Sequence, residues 1–401
     1  MESGEKRGIK SWLKWLISLA HALVLLLLTA FWMNTDYTYG DERMLVQWSS
    51  ILKRVALGID EDPPKTGYLF INLAHEKALI PLEDGLGNEV ITDREKLAQF
   101  FQILKRNQEK VKFTVCDVFL KGQSESDSLL ESSVKGIKNV IFPTHFAEDG
   151  KPEDLDVNVP HAIADYRMAG GGFLKFKLFQ HDSLQTIPVH LFEQTTGRKF
   201  TRSGSMYFDN GRPGLNSVII DYQIRAHEVF EQGEYPVVNL SELLILPEEI
   251  IVNDFLKNRI VLMGDFNGDV HETVFGSTPG TLILLNVYLT LKDGHHLPTV
   301  WWLFFITLGY AIFSRVMLFP EHDQSRIKNI RWVGPLLGSV LCLSALSVIS
   351  YLLFNIHIQV LILTLYINLL RFIIRLNQAE LSWSQVKDWL IELRETYFNF
   401  Q

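Results

Sequence analysis

An α/β fold is predicted for the centre of this 401-residue chain. The expectation is a mixed sheet with flanking helices, set between apolar stretches that predict four transmembrane α-helices, one N-terminal and three C-terminal. Three observations carry it. Short apolar runs alternate with helical patterns through residues 68–143, the order of a parallel sheet with helices on its faces. Residues 15–33 carry no formal charge and suffice to cross a hydrocarbon core of about 30 Å. Two more apolar stretches fill the last hundred residues, and the second is too long for one helix.

The elements follow in order. A short basic N-terminus, residues 1–14, holds Lys6, Arg7, Lys10 and Lys14 before the first span at 15–33. That span exceeds the usual signal-peptide core, and Phe31-Trp32-Met33 lacks the small residues of a cleavage site, so it is expected to be retained. The second span is 299–319, interrupted only by Arg315, which can snorkel to the interface. Residues 332–370 contain no Asp, Glu, Lys or Arg. As a single helix they would extend roughly 58 Å, nearly twice the core, so a hairpin is predicted, with spans at 333–354 and 358–376 and a turn at 355–357 marked by Asn355 and His357. Arg326, Lys328 and Arg331 lie in the loop 320–332, and Arg371 and Arg375 end the last span. The positive-inside rule puts all the basic sets in the cytoplasm, which four crossings permit. The expected location is a cell inner membrane, multi-pass, with residues 34–298 extracytoplasmic (periplasmic).

That large segment carries 26 Lys and Arg against 38 Asp and Glu, a net charge of −12, which argues against nucleic acid and anionic lipid as partners. Cys116 and Cys342 fall in different predicted compartments, so no internal disulfide is expected. Residues 41–57 show apolar side chains at helical spacing (Met44, Leu45, Trp48, Leu52, Val55), predicting a helix that links membrane to domain. A strand follows at 68–73. Thr92 with Glu95 forms a capping-box match that opens a helix to about Arg106. Strands at 113–119 and 140–143 flank a short helix at 128–134. Residues 172–192 alternate with period two, predicting an edge hairpin or antiparallel insert. Residues 216–222 read as a strand, 241–258 as a helix and 259–263 as a buried strand. Thr278 as N-cap and Pro279 at the first position predict a helix over 280–292, closed by Gly294.

Ligands of parallel sheets collect outside the carboxyl ends of the strands. Those ends present Asn72 and His75, Asp117, Thr144 and His145, and Asp265. With Asp269 and His271 from the loop 265–273, the candidate ligand-binding residues are His75, Asp117, His145, Asp265, Asp269 and His271. The plainer reading is that they cap helices and satisfy loop backbone. Asp265, Asp269, His271 and Glu272 in one loop suit a divalent metal in chemistry, although the spacing matches no established metal motif and backbone-bonded carboxylates are the more ordinary account. No cofactor is predicted. Gly170-Gly171-Gly172 precedes a strand rather than a helix, so it predicts close backbone approach and not a phosphate cradle. No nucleophile elbow or Cys–His pairing is present. His21 is the only ionisable side chain of the first span. The tail 377–401 holds an amphipathic helix over 381–397, suited to lie on the membrane surface with Trp383 and Trp389 as anchors or, preferred for its near-zero net charge, to dock a cytoplasmic partner.

The stretch 256–297 carries Val261-Leu262-Met263-Gly264, Asp269, Thr273 and Pro279-Gly280 and runs directly into a span. On those residues, with the single N-terminal and triple C-terminal spans, the chain resembles the type-two CHASE domain family, an extracellular sensory module associated with cyclases and histidine kinases. It departs from that pattern at Asn72 and His75, where the family often has acidic residues, and at Gly87-Asn88 and Thr92-Asp93-Arg94, where only Arg94 corresponds to the family's tryptophan-rich segment. The resemblance implies a sensor without its own catalytic output, since the 25 residues after the last span are too few for one. The expected function is therefore a non-enzymatic receptor, binding a small ligand outside and relaying to a signalling partner in trans, as a homodimer. The alternatives are a tethered metal-assisted hydrolase using Asp265, Asp269 and His271, and a structural subunit of a membrane complex.

Overall fold

The computed structural model describes residues 10–35, 38, 40–58, 63–81, 87–165, 172–180, 184–203, 206–319 and 330–378. The amphipathic tail expected at 381–397 and the Gly170-Gly171 pair lie outside the described residues. The chain divides into two units, Met33–Pro298 and a helical unit formed by Met1–Trp32 with Thr299–Gln401.

The first unit is an α/β domain. Its six-stranded sheet comprises β1 (Tyr68–Asn72), β2 (Phe113–Asp117), β3 (Val140–Thr144), β4 (His161–Ile163), β5 (Val237–Asn239) and β6 (Ile260–Gly264). They lie in the order β5-β1-β6-β2-β3-β4, and every pairing is parallel. The expected mixing of strand directions is confined to small separate sheets. The insert, for instance, pairs Lys175–Lys177 antiparallel with Ser217–Ile219. Both faces of the main sheet are covered, which is why its strands read as continuous apolar runs. Leu69, Ile71, Cys116, Val261 and Met263 point to one side, packed with Leu97, Phe101 and Leu130. Phe70, Val115 and Leu262 point to the other, against Leu191 and Leu285. Register sets the ends level. Asn72 lies beside Gly264, and Gly264 beside Asp117.

Several local expectations shift. The helix Arg94–Arg106 is capped by Asp93, not Thr92. Asp93 accepts from the amides of Glu95 at 3.1 Å and Lys96 at 3.2 Å, while Thr92 ends a strand of the hairpin Lys77–Pro81 with Asn88–Thr92. The helix predicted over 241–258 is broken at Pro247 into Leu240–Ile245 and a short α-helical segment, Glu248–Ile250, that widens into a π-helical turn at Ile251–Leu256. Pro279 is itself the N-cap of Gly280–Lys292, because Thr278 belongs to the strand Gly276–Pro279. Part of the 172–192 stretch is a helix, Ile187–Thr196.

The chain enters and leaves this domain at one place. Asn216 N donates to Asn34 Oδ1 at 3.1 Å and Ser217 Oγ to Thr35 O at 3.2 Å, while Leu215 N donates to His296 O at 2.9 Å. His296 is wholly buried, 2.8 Å from Asp209, which also pairs with Arg198.

The helical unit contains Ser11–Met33, Val300–Leu318, Ile330–Phe354 and Val360–Gln378. Among the described residues, three of these are long and apolar enough to cross a membrane, where four were expected. The last helix, Val360–Gln378, has 19 residues and a shorter apolar stretch, Val360–Ile374, among the described residues, with Asn368 and Arg371 in it. The inference that both termini share a side, which needed four crossings, loses that support. The predicted hairpin is present, and Asn355 makes its turn with φ 57°. Several polar side chains in these helices pair within the unit, as a medium without water favours. His21 Nδ1 meets Ser314 Oγ at 2.8 Å, Thr29 meets Tyr310 at 2.6 Å, and Trp302 Nε1 donates to Ser350 Oγ at 2.8 Å.

Candidate functional site

The level ends of β1, β6 and β2 form the floor of a cavity of about 510 Å³, roofed by the hairpin that carries Lys77 and Glu89. Five of the six residues expected from the sequence line it: Asp117, His145, Asp265, Asp269 and His271. His75 does not. It is exposed on the turn after β1, and the cavity lining excludes it. Asn72 and Thr144 serve the backbone instead. Asn72 Oδ1 accepts from Ala74 N at 3.1 Å, and Thr144 Oγ1 donates to Glu153 O at 2.8 Å.

Each wall has a local cause. Asp265 follows β6 and folds the loop onto itself, its Oδ1 accepting from Asn267 N at 3.1 Å and Gly268 N at 2.7 Å. A Cβ at position 268 would stand 2.7 Å from Asp265 Oδ2, so a larger residue there would displace that carboxylate. Lys77 Nζ reaches the same Oδ2 at 2.7 Å. Burial alone would raise the Asp265 pKa, but Lys77 and the loop amides hold it below the ordinary carboxylate value.

Asp117 ends β2, and Thr281 Oγ1 donates to its Oδ2 at 2.9 Å from the first turn of Gly280–Lys292. Gly264 makes that approach possible, since a Cβ there would lie 2.2 Å from Thr281 Oγ1. The Val-Leu-Met-Gly sequence thus ends in glycine for a steric reason. Burial, and next the negative charge of Asp269, push the Asp117 pKa up to about 6, against the opposing pull of Thr281, His145 and His271.

Two histidine–aspartate pairs flank this carboxyl. His145 Nδ1 lies 2.7 Å from Asp165 Oδ1, which raises the imidazole pKa, and the ring meets Phe119 edge-on at 4.8 Å between centroids. His271 Nε2 lies 2.8 Å from Asp269 Oδ1, and its ring meets Phe173 edge-on at 5.2 Å. The cavity's fixed cations are already engaged. Lys77 pairs with Asp265, Lys121 with Glu153 at 3.5 Å, and Arg94 with Asp127. Asp117, by contrast, has no Lys or Arg ion-pair partner among the described residues. The site can therefore accept positive charge or hydrogen-bond donors at its floor, and can hold or release a proton there near pH 6.

The loop 265–273 gathers no ligand set. Among the described residues, no three His, Cys, Asp or Glu side chains lie close enough to hold a metal ion. Asp265 turns to Lys77, and Asp269 and His271 turn to each other. Cys116 is buried within the sheet, and burial raises its thiol pKa well above the ordinary value, so it offers no nucleophile.

Sequence reasoning missed Asp165, Lys77, Arg94 and Thr281. Asp165 follows a strand of three residues, too short to show a period, and Lys77 sits on a hairpin that resembles loop in composition. Thr281 carried a usable signal, since the first turn of a helix that starts beside a strand end points at whatever that end presents. No protein-family model matches the chain, and neither a curated protein nor a solved structure shows significant similarity to it.

Proposed function

We propose that this protein is a membrane-anchored receptor. Its α/β domain, exposed on the extracytoplasmic side, binds a small polar ligand in the Asp117 cavity, and its apolar helices relay occupancy to a separate signalling partner. The observation that carries the reading is the convergence of Asp117, His145 and Asp265 from three strand ends on one cavity, with Asp269 and His271 beside them. A parallel sheet places ligands at such a crevice, and side chains from several strands can be rearranged together by one bound molecule. The ligand class suggested is a molecule bearing an amine or several donors, because the lysines and the arginine of the site are engaged, whereas the floor carboxyl is held by Thr281 with no Lys or Arg partner among the described residues. An anion would meet Asp117 and Asp269. The resemblance to type-two CHASE sensory domains supports the same reading. A ligand that prefers one arrangement of the domain would shift that equilibrium by its differential affinity.

The test is mass-spectrometric profiling of small molecules retained by the purified full chain in detergent, beside the same chain carrying Asp117→Leu. A compound enriched on the first and absent from the second is expected. Identical profiles from two folded proteins would remove the reading.

A further inference from the structure

The net charge of −12 on residues 34–298 is unevenly spread. Residues 197–216 carry four cations, Arg198, Lys199, Arg202 and Arg212, against one anion, Asp209. Most of this segment forms a separate three-stranded antiparallel sheet, Phe200–Ser203, Met206–Asp209 and Arg212–Gly214. The anions beside it are turned inward. Asp209 is wholly buried with Arg198 and His296. Glu193 accepts from Gln185 Nε2 at 3.2 Å and from Phe200 N at 2.8 Å. Arg198 is thereby used within the domain, its guanidinium also 5.0 Å from the Phe192 ring centre. Lys199, Arg202 and Arg212 are left exposed, and Met206 with them at 53 %.

Register fixes where this basic sheet stands in the domain. Arg202 pairs with Tyr207 and Tyr207 with Gly214, so the three form one row. A Cβ on Gly214 would lie 3.5 Å from His296 and 3.6 Å from Leu297. The row is therefore packed against the last residues of the domain. Leu297 is two positions before Thr299, which caps the apolar helix Val300–Leu318. From Gly214 the chain runs on to Asn216, which holds Asn34, the residue after the apolar helix Ser11–Met33. Met206 lies one step from the row in that same direction. Both apolar helices that flank the domain thus join it beside one basic edge.

We infer that this sheet docks on anionic phospholipid headgroups of the bilayer that the apolar helices enter, with Lys199, Arg202 and Arg212 on the phosphates and Met206 at the headgroup boundary. An apolar residue bordered by exposed cations is the composition of an interfacial contact. Arg212 and Lys199 lie about 7 and 10 Å from the row at 3.3 Å per residue, so the three cations act on a charged surface within about one Debye length. Each adds about a fivefold preference for anionic over neutral lipid. The acidic remainder of the domain is repelled by the same lipid, which holds the domain in one orientation. None of this depends on the cavity holding a ligand.

The test uses the full chain with Cys342→Ser and Met206→Cys, leaving Cys116 buried, in lipid nanodiscs. A fluorophore at position 206 is quenched by phosphatidylcholine that carries a nitroxide on its headgroup. Discs of equal phosphatidylglycerol and phosphatidylcholine should quench it roughly threefold more than phosphatidylcholine alone. The gain should vanish at about 1 M salt, where the Debye length is about 3 Å. It should vanish also in the triple variant Lys199→Gln, Arg202→Gln, Arg212→Gln, whose thermal unfolding temperature stays in place because these side chains are exposed. The same fluorophore at Asp149→Cys should show no difference between the lipids. Equal quenching at position 206 in the two lipids overturns the inference. So does a gain that the triple variant retains, which would assign the contact to other groups.

Discussion

Thr281 Oγ1 donates to Asp117 Oδ2 across 2.9 Å, tying the first turn of Gly280–Lys292 to the end of Phe113–Asp117. Gly264 lies between them, and no larger residue fits, because its Cβ would stand 2.2 Å from the threonine oxygen. Gly264→Ala is therefore expected to displace Thr281, break the bond and destabilise the domain by about 1–3 kcal/mol, the range for overpacking a tight site. Urea unfolding of the full chain measures it. A change below a few tenths of a kcal/mol would mean the helix start moves freely.

Asp117 should give the domain a distinctive pH response. Its pKa is near 4 in an unfolded chain and about 6 when folded, so the native state holds the proton more tightly. Stability from this group falls as pH rises from 4 to 6, by at most on the order of 2 kcal/mol, and is level beyond. Asp117→Asn should flatten the profile in that window and leave the protein more stable above pH 6. Thermal unfolding across pH 4–8 checks the difference between the two proteins.

His145 responds with the opposite group chemistry. Asp165 raises its pKa, so the pair contributes stability below the unfolded value near 6.5 and loses it as pH climbs through the folded value. Both side chains are about one-third exposed, so screening limits the contribution to roughly 0.5–1 kcal/mol. Asp165→Asn should lower the imidazole pKa, read from its NMR titration. An unmoved titration would assign the raised value to other neighbours.

Glu42 and Lys175 form an ion pair at 2.9 Å with both side chains only 2 % exposed. Removing one partner strands a buried charge, so Glu42→Ala should cost about 3–5 kcal/mol. The double change Glu42→Leu with Lys175→Met should recover most of that, since an apolar pair needs no desolvation of charge. A double-mutant cycle by chemical denaturation decides. If the single and double variants were equally unstable, the pair would matter for packing rather than charge.

An engineered thiol at Asp149, whose side chain is 57 % exposed, reports the side of the membrane on which the domain lies. With Cys342→Ser in the background, a membrane-impermeant maleimide should modify Asp149→Cys in intact spheroplasts. Modification only after lysis would place the domain inside and end the receptor reading.

The parallel strands were legible because both their faces are buried, so runs such as Ile260–Gly264 show as uninterrupted apolar residues. Strand polarity then located Asp117, His145 and Asp265. The same reasoning misplaced His75, since a residue three positions beyond a strand end is already around the turn. Asp165 was hidden because β4 is held by pairing with β3 and not by its own pattern. Helix Gly40–Ile51 shows another limit. Its apolar stripe was visible, but periodicity does not say which side of a helix meets the domain, and the Glu42–Lys175 pair turned Met44 and Trp48 outward. The absence of charge over 332–370 made the hairpin of Ile330–Phe354 and Val360–Gln378 legible, because a single helix of that length would overrun a bilayer core.

The adjacent residues Leu215, Asn216 and Ser217 grip Asn34, Thr35 and His296. The domain's first and last residues are thereby near neighbours, which makes it a closed loop hung from a single point. Such a body can be excised as one piece and its ends ligated through a short linker into a circle. The Asp117 cavity would survive that surgery, opening it to study in water without detergent.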